Sequence, residues 1–375
     1  MKSIVFASAV LFAATGAVAA EIRFTPDDFL VLNPVENGHG VSDLVLHTTV
    51  VRTGPDERMT LTGVRFELLQ GERVLLVRNL SAEEVVASSG SQNGPPVVLN
   101  LQLLDPHGLR GAILARSADL GPNQALVVAE TYFSVAGAPD HLRVSASGAG
   151  PDGATRSVQA SIPIRRHHSA YRFPLRGAWL DASLPMLESH HRMIASNEFA
   201  ADFFKVDATG RNFPGDGADP ASWYAYGEPV LAAADGEVVA VRDGAVQLHA
   251  TPGEAQTHYR QRFGEAMEAG LQTDFRAALA GNLVTLRHVR EGGAVEYTSY
   301  AHLKPGSIKV KPGARVSAGQ VIAEVGDTGD APVAHLHFQV NAGPDPFFSR
   351  SLPFTFTDTR WVGATQDPGR FIQSK

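Results

Sequence analysis

Cysteine is absent from this chain. That excludes disulfides, lipid attachment through an N-terminal cysteine, and a cysteine nucleophile. The serine nucleophile motif Gly-x-Ser-x-Gly is missing as well. Runs of basic residues are also lacking, and the formal charge is −7. A mildly acidic chain without a basic patch is a poor partner for nucleic acid or an anionic membrane surface. Past the first twenty residues no apolar stretch is long enough to span a bilayer, so no membrane span is expected. A protein without disulfides must be held together by ordinary apolar cores. About 355 residues after the leader are enough for two domains at roughly 100–200 residues each.

The leader is residues 1–20. Lys2 gives a small positive start, Ile4 to Ala14 is nearly all apolar, and Ala17-Val18-Ala19-Ala20 offers small residues for cleavage. This pattern reads as a secretory signal peptide, so the mature protein is expected to be exported, either periplasmic or secreted.

Residues 21–165 read as a β domain. Val64, Phe66 and Leu68 alternate with Arg65 and Glu67, and several apolar runs are bounded by Gly, Pro, Asn or Asp. Gly148-Ala149-Gly150-Pro151-Asp152-Gly153 reads as the turn of a hairpin. Roughly seven short strands over this length predict an immunoglobulin-like sandwich. His39, His47, His107 and His141 are scattered without ligand spacing, so this half shows no chemistry and fits a binding or positioning module.

Residues 166–192 read as a linker or lead-in, with His167 and His168 beside two arginines and therefore solvated. Residues 193–358 form the second domain, again β, with glycine turns about every ten residues and a helical insertion over 253–280. Residues 359–375 read as a C-terminal tail. His288, at a strand end, is expected at the surface, and His249 and His258 flank the insertion without partners.

Side chains alternate across a strand, so in Ala334-His335-Leu336-His337-Phe338 the two histidines share a face and Leu336 and Phe338 the other. Tyr300-Ala301-His302-Leu303 repeats the alternation, with Tyr300 and His302 on one face. Three imidazoles converging across one sheet would make a metal or phosphoryl site. Two unrelated surface histidine clusters are the plain alternative.

Five segments in order carry a resemblance: Gly227-Glu228-Pro229-Val230-Leu231-Ala232-Ala233-Ala234-Asp235-Gly236-Glu237-Val238, then Gly281-Asn282-Leu283-Val284, Tyr300-Ala301-His302-Leu303, Val316-Ser317-Ala318-Gly319-Gln320-Val321-Ile322-Ala323-Glu324-Val325-Gly326 and His335-Leu336-His337-Phe338. Over residues 180–345 the chain resembles the lysostaphin/LytM-type zinc endopeptidases, grouped with the β-lytic metallopeptidases, which cut peptide bonds in bacterial peptidoglycan. The resemblance implies an all-β, glycine-rich, two-sheet antiparallel core (LytM-like, a duplicated hybrid motif) with the site in a groove on one sheet. It implies Zn2+ as cofactor and peptidoglycan as partner, and leaves room for a regulatory protein partner. By residue, Asp202 and His337 resemble zinc ligands, while His302 and His335 resemble the two non-ligand histidines that activate water and stabilise the oxyanion.

One ligand departs from the family pattern. A histidine is usual four residues before the aspartate, and here Glu198 stands there. Three readings stay open: His191 (or His190) reaches in, Glu198 ligates, or the site binds no zinc. A second carboxylate would make the metal's water a weaker acid, which favours a neutral imidazole, His191, with Glu198 pointing away. The competing function is a catalytically degenerate LytM-like domain that binds peptidoglycan or activates another hydrolase. A sugar-phosphotransferase carrier has a similar core with paired histidines, but the leader argues against its cytosolic partners. A biotin or lipoyl carrier lacks its hairpin lysine, since Gly326-Asp327-Thr328-Gly329 has none.

Overall fold

The computed structural model describes residues 20–34, 41–90, 109, 111–167, 169–182, 190–217, 219–248, 254, 256–362 and 370–374. Apart from Ala20, the expected leader lies outside them, as do His39, His107, His168 and His249. The chain divides into two compact units, Met1–His167 with Met193–Ala195, and His168–Arg192 with Ser196–Lys375.

Alternation builds the first unit. In the strand His141–Ala149, Leu142, Val144 and Ala146 are fully buried and the residues between them are not. That strand pairs with Thr155–Arg166 from Ala149↔Thr155 onward, so the glycine-rich hairpin forms where the turn residues predict it. Thr155–Arg166 then runs parallel to Leu30–Pro34, which leads on to the antiparallel strands Val41–Arg52 and Gln124–Ala136. The result is one ten-stranded sheet, eight strands of it in a single path, joined through a parallel pair, a link that two separate antiparallel sheets lack. Phe66 and Leu68 from one half and Leu44, Leu46 and Phe133 from the other share one core, so the path curls around it.

The second unit centres on the strand Leu336–Asn341, every residue of which is buried. Its sheet runs in the order Arg315–Val316, Gly236–Arg242, Leu283–Val289, Val295–Ala301, Leu336–Asn341, Ala201–Phe204, Ala178–Asp181, Arg370–Ser374, Thr359–Val362. The last two strands come from the segment expected as a tail. The lead-in likewise contributes Ala178–Asp181 to this sheet and Ser169–Tyr171 to a parallel pair with Phe354–Phe356. A helix spans Gln256–Ala280 and is broken at Asp274, whose carboxylate accepts the Ala277 N–H at 3.2 Å and starts the second stretch.

Leu336, Phe338 and Val340 face an apolar layer, and Phe338 lies 5.3, 5.1 and 5.7 Å (ring centroids) from Tyr300, Phe354 and Phe356. This packed face holds the site-bearing strand rigid. Phe338→Ala should cost ~3–5 kcal/mol in denaturant unfolding with an unchanged slope. A loss below ~1 kcal/mol would mean the face is not close-packed.

His288 departs from expectation. It is 1% exposed, its Nδ1 lying 2.8 Å from the Asp235 carbonyl oxygen and its Nε2 2.8 Å from Thr298 Oγ1. Cross-strand pairing with Glu296 carries the strand end into the interior, and burial lowers the pKa of the ring.

Candidate metal centre

Register sets the site. His337 is the cross-strand partner of Asp202 on one side and of Ala301 on the other, so the Asp202 and His337 side chains project from the same face. Asp202 Oδ1 lies 3.0 Å from His337 Nδ1, and its Oδ2 lies 3.0 Å from His191 Nε2. His191 comes from the short 3-10 helix His190–Met193, eleven residues before Asp202. The candidate ligand atoms of His191, Asp202 and His337 all lie within 4.8 Å of one another, and all three residues are buried.

Those dimensions suit a small cation. Tetrahedral zinc with bonds of ~2.0–2.1 Å separates its ligand atoms by roughly 3.3–3.4 Å, close to the 3.0 Å contacts here. Two imidazoles and one carboxylate are also a donor set that zinc accepts. Burial alone would raise the Asp202 pKa, yet the charges of His191 and His335 and the hydrogen bonds from His191 and His337 hold it well below the usual range. Burial opposes protonation of His337, but its hydrogen bond to Asp202 and that residue's charge raise its pKa. A carboxylate that stays ionised in the interior is what a cation site needs.

Glu198 faces elsewhere. Its Oε1 lies 3.3 Å from Arg192 Nη2, and its Oε2 accepts from Arg350 Nη2, with all three side chains at most 2% exposed. The guanidinium of Arg192 also lies 5.4 Å from the Phe199 ring, and that of Arg350 5.9 Å. The arginine pair takes both Glu198 oxygens and anchors the residue next to His191. For His190 only the backbone lies within the described residues.

His335 and His302 complete the cluster. His335 stacks on Phe204 at 4.7 Å and 18°, and its Nδ1–H donates to the Val333 carbonyl at 2.8 Å. Its Nε2 is 3.7 Å from Asp202 Oδ1. The His302 ring lies 4.5 Å from that of His335 and 5.8 Å from that of His337. Strict alternation would put His302 with Tyr300, on the apolar face beside Phe338. A left-handed backbone at His302 (φ 60°) instead turns it back to the polar face, so Tyr300 and His302 do not share a side.

That turn is closely held. The His302 N–H donates to Ala280 O at 2.9 Å, and its Nδ1–H donates to Thr328 O at 2.8 Å. Gly281, itself at φ 61°, has no room for a Cβ, which would meet the Thr328 backbone at 2.4 Å. Burial, then the charges of His335 and His337, push the His302 pKa well below the usual imidazole value despite the pull of Asp202.

Gln339 and Asn341 extend the site beyond the histidines. Gln339 Oε1 accepts from His337 Nε2–H at 2.8 Å, and Asn341 Nδ2 donates to Ser196 O at 2.9 Å. The signal for both is in the sequence, because His335, His337, Gln339 and Asn341 continue one period-2 row. Arg192 and Arg350 have no such signal; the local turn after Arg192 and the long-range folding of Arg350 bring them to Glu198.

Residues 264–347 match the sequence model of Peptidase family M23. That span holds His302, His335 and His337, while His191 and Asp202 precede it. The resemblance to LytM/lysostaphin-type peptidases carried by the motifs is the one this match gives. None of the curated proteins matches the chain. Among solved structures, the catalytic domain of lysostaphin from Staphylococcus simulans is similar at 21% identity, covering 41% of this chain and 74% of that one, with a TM-score of 0.23. A zinc-containing peptidase from Vibrio cholerae is similar at 16% identity over 85% of this chain and 83% of that one (TM-score 0.24). A putative glycyl-glycine endopeptidase LytM from Ruminococcus gnavus is similar at 16% identity over 48% and 56% (TM-score 0.26).

Proposed function

We propose that the chain is an exported zinc metalloendopeptidase that hydrolyses peptide bonds in bacterial peptidoglycan. The observation that carries this is the buried convergence of His191, Asp202 and His337, flanked by His302 and His335, in a chain matching a peptidase family. His191 Nε2, Asp202 and His337 Nδ1 are the ligands in this reading. Zinc held by three protein groups keeps a fourth position for water and lowers that water's pKa towards ~7.

The remaining chemistry belongs to the two free imidazoles. Each donates Nδ1–H to a backbone carbonyl, so each keeps Nε2 available. His302, held neutral by burial, takes the proton of the attacking water at Nε2. His335, stacked on Phe204, donates to the oxygen on which charge develops once its Nε2 also carries a proton. His191 beside Asp202 supports this reading over the degenerate-domain alternative, for which a carboxylate in the histidine's position is the main ground.

The test is metal analysis of the purified protein together with digestion of isolated peptidoglycan. About one zinc per chain and release of new amino termini are expected, with both lost after chelation and regained with added zinc. Zinc-loaded protein that leaves peptidoglycan intact would overturn the substrate assignment.

A further inference from the structure

We propose that Gln339 is a positioning residue that fixes the tautomer of His337, keeping the ring proton on Nε2 and the lone pair on Nδ1. Four contacts decide the orientation of its amide. One atom lies against three acceptors: Ser196 O at 3.2 Å, Pro346 O at 3.0 Å and Asn341 Oδ1 at 2.7 Å. Only an NH2 group donates, so that atom is the nitrogen and the other is Oε1. Asn341 is fixed by the same logic, because its nitrogen donates to Ser196 O at 2.9 Å and Ser349 O at 3.1 Å.

Gln339 Oε1 therefore accepts, and the atom 2.8 Å from it, His337 Nε2, carries the proton. In the neutral ring the lone pair of Nδ1 then faces Asp202 Oδ1 at 3.0 Å. Two acceptors at that distance repel unless a proton or a cation lies between them, so with Nε2–H held by Gln339 a bound cation at this edge takes the place of a proton on Nδ1. Ser196 O accepts from both amides and lies between His191 and Asp202 in the chain. The same pair of side chains thus ties the segment bearing His191 to the strand bearing His337.

The zinc arm of this proposal rests on the metal-site reading above; the tautomer arm does not. Metal-free full-length protein labelled with 15N-histidine, at a pH where His337 is neutral, should show that ring protonated at Nε2. Zinc affinity, read by chelator competition, should fall ~10–100-fold in Gln339→Leu. In Gln339→Glu it should stay within about threefold of wild type, because a carboxylate still accepts from Nε2–H. A purely structural role predicts no difference between the two, since glutamate lacks the donors for Ser196 and Pro346 and would be as weak as leucine. A proton on Nδ1 in the wild type, unchanged affinity in Gln339→Leu, or equal weakness of both variants would overturn the clamp. A wild type that binds no zinc but carries its proton on Nε2 would sink the metal reading and uphold the clamp.

Discussion

His191→Ala should weaken zinc binding by ~10²-fold or more, whereas Glu198→Gln should leave about one zinc per folded chain. The first figure is one ligand's share of the roughly 10–16 kcal/mol that a four-ligand structural site gains. His191 Nε2 lies 3.0 Å from the Asp202 oxygen not used by His337, so its removal opens one corner of the cluster. Glu198 has a different task. Its carboxylate lies between the buried Arg192 and Arg350, and neutralising it leaves two guanidinium charges in the interior. Breaking a buried pair in that way costs ~3–5 kcal/mol, so Glu198→Gln should unfold at markedly lower denaturant while keeping its metal stoichiometry. Chelator competition and denaturant unfolding on the two variants separate these effects. Zinc lost in Glu198→Gln at a concentration where the chain is folded, with His191→Ala unaffected, would make the glutamate the ligand.

The two variants also mark what the sequence could and could not disclose. Local alternation was enough for His335 and His337, and it extends to Gln339 and Asn341, because side chains on an unbroken strand obey a period of two. It failed at His302, where a single left-handed residue reverses the face, and no residue type at that position announces the turn. Glycine gives part of the signal instead. Gly281 sits opposite Thr328 with no space for a Cβ, and Thr328 O receives the His302 Nδ1–H. The role of His191 could be framed only as one of several readings, since an eleven-residue return from a 3-10 helix to a strand has no periodic signature. Strand pairing across the chain was equally silent. Nothing local to 359–375 predicts that Arg370–Ser374 pairs with Ala178–Asp181 at the sheet's end, nor does a strand-end histidine such as His288 reveal that Asp235 and Thr298 await it.

The larger functional effect should come from His302, and it should come without loss of metal. His302→Ala is expected to lower peptidoglycan hydrolysis ~10²-fold or more at saturating zinc, with zinc content unchanged. The geometry separates the roles. His302 lies outside the three-residue cluster of converging ligand atoms, and its Nδ1–H is committed to Thr328 O, which leaves Nε2 as its working atom. Burial holds the ring neutral, so it is ready to accept a proton rather than already carrying one. Alanine also disturbs the backbone, because φ 60° suits few residues. His302→Asn controls for this, since asparagine adopts the left-handed region readily while bringing no imidazole. Both variants should therefore lose hydrolysis to a similar degree, with asparagine recovering part of any lost stability. Recovery of activity in His302→Asn would trace the defect to the turn and not to the ring. Zinc lost together with activity in both would make His302 a ligand, and the assignment of His191, Asp202 and His337 as the complete protein set would fall.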